Sequence, residues 1–203
     1  MTVDIFDILF SFSVFSLLGW ILEVCYRSMR EGHFVNPGLL KGPYLVLYGA
    51  AALVLMASVS FIHEYNIFVK VLCYFVITTG LELISGFNAQ HFFKVRLWDY
   101  SDQRFQFKGH ICLKFSIYWI LLAFAFEYLL LQTYQGLTSL LSPSIKGVFG
   151  VIGVVLMAVD FATVVRGKQP HVKEEHQPVS TIGWKRGNPY DGNGIYEHRN
   201  AAA

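Results

Sequence analysis

Charged residues are scarce in this sequence. Only 15% of its 203 residues are Asp, Glu, Lys or Arg, whereas a soluble domain usually carries about 25%. Residues 45–62 include no charged side chain across 18 positions, and 54% of the chain is hydrophobic. A run of that length approaches a membrane span. Together with a mean hydropathy of +0.45, this excludes an ordinary soluble domain and indicates an integral membrane protein.

Cysteine pairs and nucleotide motifs are missing as well. The three cysteines, Cys25, Cys73 and Cys112, form no C-x-x-C pair, so we expect unpaired thiols in or beside the spans. The sequence has no Walker-type phosphate loop, so another chain would have to hydrolyse any ATP that drives this protein. No metal-ligand spacing such as H-E-x-x-H is present, and we expect neither a metal nor another cofactor. The net charge of +2 does not indicate a nucleic-acid partner, because the basic residues border the apolar segments and suit lipid headgroups.

Five apolar segments are predicted to cross the bilayer as helices, because a helix satisfies its own backbone hydrogen bonds in lipid. The predicted spans are residues 5–26, 44–62, 67–92, 111–131 and 147–165. The expected fold is therefore an all-α integral membrane bundle of five helices. Residues 1–166 would form the transmembrane domain, and the polar residues 167–203 a flexible cytoplasmic tail.

Lys and Arg are distributed unevenly between the two predicted sides of the membrane. One side has only Lys70 and Lys146, whereas the loops after the first and third spans, together with the tail, hold 13 Lys or Arg. The positive-inside rule then places the N-terminus outside and both loops and the C-terminus in the cytoplasm. Because this distribution of Lys and Arg puts the N-terminus and the C-terminus on opposite sides, it also favours an odd number of spans. We expect a multi-pass protein of the bacterial inner membrane, which is the plasma membrane.

Four acidic residues fall inside predicted spans, where such groups usually face a partner, the bundle interior or a cavity. They are Glu23, Glu82, Glu127 and Asp160. Glu23 and Glu82 lie at similar depths on the cytoplasmic side. They could form structural ion pairs with Arg27, Arg30 or Arg96, or they could line a functional path, and the sequence leaves both interpretations open.

Glu127 lies in the outer half of the fourth span. No other polar residue is expected at its depth, so a packing role or a neutral carboxyl is predicted.

A short internal similarity relates the two halves of the chain. "GWILEV" (19–24) and "GLELIS" (80–85) each place a glycine before an acid, and Lys41-Gly42 and Lys108-Gly109 each precede a helix. This predicts a parallel repeat of helices 1–2 and 3–4. Helix N-termini with glycine nearby favour anions, so a phosphate or carboxylate site at these turns is one interpretation. The other is that the glycines only shape tight turns into the membrane.

Glycines recur every third residue at Gly147, Gly150 and Gly153. This spacing predicts a face for close helix packing rather than a nucleotide loop.

Four motifs in this order and at these separations resemble a bacterial family of CmpB-type ABC-transporter permeases, and a small set of vertebrate multi-span proteins is similar. The motifs are "GWILEV", "FVNPGLLKGPYLVLYG", "LELISG" and "LWDYSDQRFQFKGHICLKFSIYW". The resemblance covers roughly residues 8–125 and leaves the fifth span outside. Gln90 stands where the family commonly has a second acid on the third span, so a carboxylate pair or metal role is not expected there.

The resemblance and the polar loops together define a predicted substrate-binding set. Its members are Glu23, Asn36, Lys41, Gly42, Tyr44, Tyr48, Glu82, Trp98, Asp99, Tyr100, Lys108 and Gly109.

Transport is the function that the resemblance implies, with an anionic or lipid-like substrate bound at the cytoplasmic face. Five helices are few for a conduit, so a homo-oligomer or a separate ATPase subunit would be needed, with the lipid bilayer as the other partner. A membrane enzyme acting on a lipid or isoprenoid headgroup is the first alternative. Asp99 or Glu23 would then act as acid and base, His110 as a proton relay, and Lys108 would hold the anionic group. A membrane scaffold or regulator is the second alternative.

Overall fold

The computed structural model describes residues 4–166 as a helical bundle, and helices account for 74% of these residues. The helices are α1 (Ile5–Glu31), α2 (Val46–Ile62), α3 (Ile67–Phe93), α4 (Leu113–Ala125), α5 (Leu131–Thr138) and α6 (Pro143–Arg166). A five-residue π-helical segment, Phe126–Leu130, joins α4 to α5 without a break. One short antiparallel ribbon pairs β1 (Gln106–Phe107) with β2 (Ile111–Cys112).

Four apolar helices are long enough to cross a membrane: α1, α3, the continuous stretch of α4 and α5, and α6. The fifth apolar helix, α2, has 17 residues, which is at the short end of the spanning range. The expected all-α bundle is confirmed, and the number of helices fits five spans. The predicted tail, residues 167–203, lies outside the described residues.

Local signals explain where the helices end and why two boundaries differ from the predicted ones. α1 continues to Glu31 and ends at Gly32, whose left-handed φ of 74° suits a glycine C-cap. α6 begins at Pro143 rather than at residue 147, because proline is favoured in the first helical turn. The Ser142 hydroxyl accepts a hydrogen bond from the Ile145 backbone at 3.3 Å, which caps this helix end.

The glycine-rich face of α6 packs against α1, which confirms the predicted packing role. A Cβ atom on Gly150 would lie 2.6 Å from the backbone nitrogen of Phe10, and one on Gly153 would lie 2.5 Å from the Ser13 hydroxyl. Gly147 lies against the ring of Phe6 in the same way. Contact positions rise together along both helices, so α1 and α6 run parallel. Residues 4 and 166, the two ends of the described range, therefore lie at opposite ends of the bundle.

Replacing Gly150 with Ala is expected to loosen this interface, because backbone atoms of α1 occupy the space that the new methyl group needs. We expect Gly150→Ala to lower the free energy of unfolding by about 1–3 kcal/mol, measured by denaturation in detergent. Gly80→Ala is the matched control in the middle of α3, because no atom of residues 4–166 outside its own helical turn lies within 4 Å of the added methyl group. Equal stability of the two variants would contradict close α1–α6 packing.

The start of α2 lies beside the middle of α1. The Leu45 backbone N–H donates to the Ser16 carbonyl at 2.9 Å, and Gly49 approaches the Ser16 side chain too closely for any Cβ. The two helices run antiparallel, so the last turns of α1 continue past the beginning of α2. Residues 32–45, called here the first loop, fold back along this part of α1.

A buried polar cluster joins α3 to the π-helical segment at the other end of the bundle. Lys70 Nζ lies 2.5 Å from Glu127 Oε1, and Tyr74 donates to Glu127 Oε2 at 2.7 Å. Lys70 also donates to the Tyr128 hydroxyl at 3.0 Å. The expectation that Glu127 has no polar neighbour is therefore wrong. Lys70 lies in the first turn of α3 and is only 4% exposed. Its separation from Glu127 along the chain concealed the pair.

Removing one member of this pair is expected to destabilise the bundle strongly. Lys70→Met leaves Glu127 buried without a positive charge, which costs about 3–5 kcal/mol in comparable buried pairs. The double variant Lys70→Met/Glu127→Leu removes both charges and should recover most of the loss. Chemical denaturation in detergent measures both free energies of unfolding. A double variant no more stable than the single one would show that the ion pair is not the source of the effect.

Candidate functional site

A cavity of about 1360 Å³ opens between the C-terminal halves of α1 and α3. The first loop and residues 94–112, called here the second loop, form much of its wall, and we call it the loop-side cavity. Ligand sites commonly have volumes of about 300–1,000 Å³, so this space is ample for a small molecule. The two loops enclose a cavity rather than only bracing each other.

Eight of the twelve predicted binding residues line this cavity. They are Glu23, Asn36, Tyr44, Tyr48, Glu82, Trp98, Asp99 and Tyr100. The other four lie at the two Lys-Gly turns, outside the cavity wall.

Glu23 is held in a structural ion pair. Its carboxylate accepts from Arg27 Nε at 2.7 Å and from the Tyr48 hydroxyl at 2.8 Å. The Arg27 guanidinium also reaches the Leu97 carbonyl at 3.4 Å. These contacts join α1 to α2 and to the second loop. Arg27, one of the three arginines considered as partners, thus pairs with Glu23.

Glu82 differs from Glu23 in its partners. The residue is only 2% exposed, and Tyr100 donates to Oε1 at 3.0 Å. Within residues 4–166 the other oxygen, Oε2, has no hydrogen-bond partner, and no ion pair includes Glu82. The Trp119 indole N–H is close enough to interact with this carboxyl but makes no hydrogen bond of good geometry. An incompletely bonded buried carboxyl is costly, so the deep end of the cavity is a candidate site for a ligand.

Aromatic rings form the wall around Glu82. The Tyr100 and Phe115 rings stack with centroids 4.5 Å apart, and the Tyr48 and Trp119 rings lie 5.4 Å apart. Burial raises the pKa of Tyr100 well above its usual value, and the nearby Glu82 carboxyl adds to the rise. Tyr100 therefore stays protonated at neutral pH and remains a hydrogen-bond donor.

The Lys41-Gly42 turn binds a carboxylate that belongs to the protein. Asp160 on α6 accepts three hydrogen bonds at Oδ2: from the Lys41 N–H at 2.8 Å, the Gly42 N–H at 2.9 Å and the Tyr44 hydroxyl at 2.9 Å. We call this arrangement the Asp160 clasp. From the sequence, an anion site was one of two interpretations of this turn, and Asp160 was an acid inside a predicted span, but no local pattern could join residues so far apart in the chain.

The Lys108-Gly109 turn is the tip of the β1–β2 ribbon. Lys108 and Gly109 both have left-handed φ angles, 52° and 73°, which favours glycine at the second position. The Gly109 N–H donates to Gln106 Oε1 at 2.8 Å. A side chain on Gly109 would also collide with Asp99, because its Cβ would lie 2.7 Å from Oδ1. The structure thus favours the tight-turn interpretation of this glycine.

The Asp99 carboxylate is held by hydrogen bonds within the second loop. It accepts from Arg96 at 2.7 Å, from the Ser101 N–H at 2.9 Å and from the Ser101 hydroxyl at 2.5 Å. Partial burial opposes ionisation, but the bonds from Ser101 and Arg96 outweigh it and hold the pKa of Asp99 below its usual value. Asp99 is therefore an ionised structural acceptor at neutral pH.

His110 lies apart from the cavity, in a separate cleft of about 790 Å³ that Lys94, Arg96 and Lys108 also line. Burial lowers the pKa of His110, and the positive charge of Arg96 lowers it further, so its neutral form is favoured. Within residues 4–166 no hydrogen bond joins the His110 ring to Asp99 or Glu23. Glu23 and Asp99 line the same cavity, but the expected relay, His110, lines the separate cleft.

The two halves of the predicted repeat agree in the spacing between their Lys-Gly pairs and the next helix, but their glycines have different neighbours. α2 and α4 both begin four residues after the glycine of the Lys-Gly pair. However, Gly19 packs against Tyr48, whereas a methyl group on Gly80 would meet no neighbouring helix or loop of the described chain within 4 Å. The parallel repeat stays a prediction.

The fold and the apolar helices define a multi-pass helical membrane protein. Residues 10–165 match the sequence family described as "Putative ABC-transporter type IV", and the chain belongs to this family. The match continues through α6, so the resemblance seen over residues 8–125 was too short. No curated protein and no solved structure matches the chain.

Removing the Asp160 carboxylate is expected to release the first loop from α6. Asp160→Ala deprives the Lys41 and Gly42 amides of their acceptor, and hydrogen bonds to a charged group contribute about 1.5–3 kcal/mol each. We expect amide exchange at these two residues to accelerate at least about tenfold, measured by hydrogen–deuterium exchange in detergent. Thr163→Val is the control, because Thr163 contacts Asp160 without touching the loop. Equal exchange in both variants would contradict the clasp.

Proposed function

We propose that this protein is a membrane-spanning component of a transporter and that its substrate binds in the loop-side cavity. The single observation that carries this proposal is the cavity itself, which leads from the loop end of the bundle to the incompletely bonded carboxyl of Glu82. Membership of an ABC-transporter family supports it.

The depth of the cavity fits a transport site. Glu82 is the sixteenth residue of the 27-residue helix α3, so the cavity reaches about the middle of the bundle. Beyond it, a buried apolar cluster that includes Phe15, Leu55 and Phe126 fills the space between the helices. The bundle is thus open at one end and closed at the other, as one state of an alternating-access cycle would be. The positive-inside rule makes the open end cytoplasmic.

Partners and location follow from the same arrangement. A family of ABC transporters and a chain without a phosphate-binding loop together call for a separate ATPase subunit, and the two loops offer it a contact surface beside the cavity. A homo-oligomer would enlarge the conduit beyond five helices. The plasma membrane of a bacterium is the proposed location.

The two alternatives receive less support. An enzyme needs a base near the cavity carboxylates, and His110 lies in the separate cleft. A scaffold would have every membrane acid sealed in an ion pair or hydrogen-bond network, and within residues 4–166 Glu82 Oε2 is not.

Filling the cavity is expected to abolish transport. Ser85 lies about one turn from Glu82 on α3 and lines the cavity, so Ser85→Trp puts a large ring into the path. Ile84→Trp is the matched control, because Ile84 is 57% exposed on the lipid-facing side of the same helix. Proteoliposomes containing each variant, with any co-purified ATPase, are incubated with a small-molecule extract of cells, and accumulated compounds are identified by mass spectrometry.

We expect at least one compound to accumulate in wild-type and Ile84→Trp vesicles and to fall at least about tenfold with Ser85→Trp. Vesicles of all three proteins that accumulate the same compounds to the same level would contradict transport through this cavity.

A further inference from the structure

Resting on the proposed function, we propose that the loop-side cavity takes an amphipathic organic cation: a protonated amine whose N–H group binds Glu82 Oε2 and whose apolar body lies among the aromatic rings. This names the substrate class. It differs from the anionic substrate that the two Lys-Gly turns had indicated.

The first argument is the hydrogen bonding of Glu82. Tyr100 satisfies Oε1 at 3.0 Å, whereas Oε2 is buried and makes no hydrogen bond of good geometry within residues 4–166, although the Trp119 N–H is near the carboxyl. Most buried polar atoms in native proteins are bonded, and a carboxylate without a cation is expensive to bury. An ammonium group would supply a well-placed hydrogen-bond donor and a positive charge to Oε2.

The second argument is the charge of the cavity wall. Four carboxylates line the cavity against two guanidinium groups: Glu23, Glu31, Glu82 and Asp99 against Arg27 and Arg30. Arg27 neutralises Glu23 at 2.7 Å, and Arg96, which lies outside this wall, neutralises Asp99 at 2.7 Å. Glu31 and Glu82 then remain against Arg30, a balance of one negative charge. A cavity with this balance attracts cations and repels anions.

The third argument is the aromatic wall beside the carboxyl. The Tyr48, Tyr100 and Trp119 rings surround the same end of the cavity as Glu82, and aromatic faces attract organic cations that have lost part of their water. These rings also accommodate an apolar body. A bare metal ion fits less well, because within residues 4–166 no group of three or more His, Cys, Asp or Glu could hold one.

The turn amides and loop lysines that had indicated an anion are already bonded or lie outside the cavity. The Lys41 and Gly42 amides already bind Asp160. Lys94 and Lys108 line the separate cleft and not the loop-side cavity.

Three molecules of the same shape test the substrate class. 2-Phenylethylamine is the cationic probe, 2-phenylethanol its uncharged counterpart and phenylacetate its anionic counterpart. Binding to the full-length protein in nanodiscs is measured by isothermal titration calorimetry near neutral pH. We expect the amine to bind at least about tenfold more tightly than the alcohol, and phenylacetate to bind more weakly still.

Variants then locate the site. Glu82→Gln keeps the shape of the side chain and removes its charge, so amine affinity should fall at least about tenfold. Glu64→Gln removes an exposed carboxylate in the loop between α2 and α3 and should leave affinity unchanged. Trp119→Phe keeps an aromatic ring and should retain most of the affinity. Size-exclusion profiles and circular dichroism check that each variant is folded. If Glu82→Gln does not fold, the affinities of the wild-type protein for the three probes decide whether the substrate class is cationic.

Equal affinity for the three probes, preference for phenylacetate, or no binding of the amine would overturn the cationic substrate class. So would amine binding that a folded Glu82→Gln variant leaves unchanged. None of these results would alter the flux expected from Ser85→Trp and Ile84→Trp vesicles, so failure of the substrate class and failure of the transport proposal are distinguishable.

Discussion

The close approach of α1 and α2 is the constraint on which the rest of the structure depends. Gly49 lets the backbone of α2 come against Ser16, and the Leu45 N–H bonds to the Ser16 carbonyl. This contact fixes the start of α2 beside the middle of α1 instead of at its end. The C-terminal turns of α1 therefore have no neighbouring turn of α2. The space that α2 does not fill becomes the loop-side cavity, and the first loop has to fold back to form its wall.

The buried ionisable side chains are paired to different degrees at the two ends of the bundle. At the closed end, Lys70, Glu127 and Tyr74 satisfy one another in a buried cluster. At the open end, Glu23 is paired, but Glu82 retains an oxygen without a donor in the described part of the chain. A polar group inside a membrane is tolerated when it is paired or faces a cavity. The same principle thus accounts for a buried structural cluster in one half and for an incompletely bonded carboxyl at the cavity in the other.

The sequence predicts the fold better than the site, and the reason is physical. Long apolar runs must be helices in lipid, so α1, α3 and α6 follow from composition alone, and the glycine spacing of α6 predicts its packing face. The pairs that define the site join distant residues, such as Lys41 with Asp160, and no local pattern encodes them. The β1–β2 ribbon was also missed, because its strands have two residues each. Gly109 at its tip was the available signal, since a left-handed turn favours this residue.

The Asp160 clasp has a mechanical consequence. Tyr44 lines the cavity, and its hydroxyl holds the same Asp160 oxygen as the Lys41 and Gly42 amides. α6 is thereby fastened to the cavity wall near its own C-terminal end, six residues before Arg166. If α6 slides along α1, either the three hydrogen bonds to Asp160 break or the first loop moves with α6. α6 also lines the cavity directly with Phe161 and Val165, so a shift of this helix would change the shape of the cavity both at these two side chains and at the Asp160 clasp.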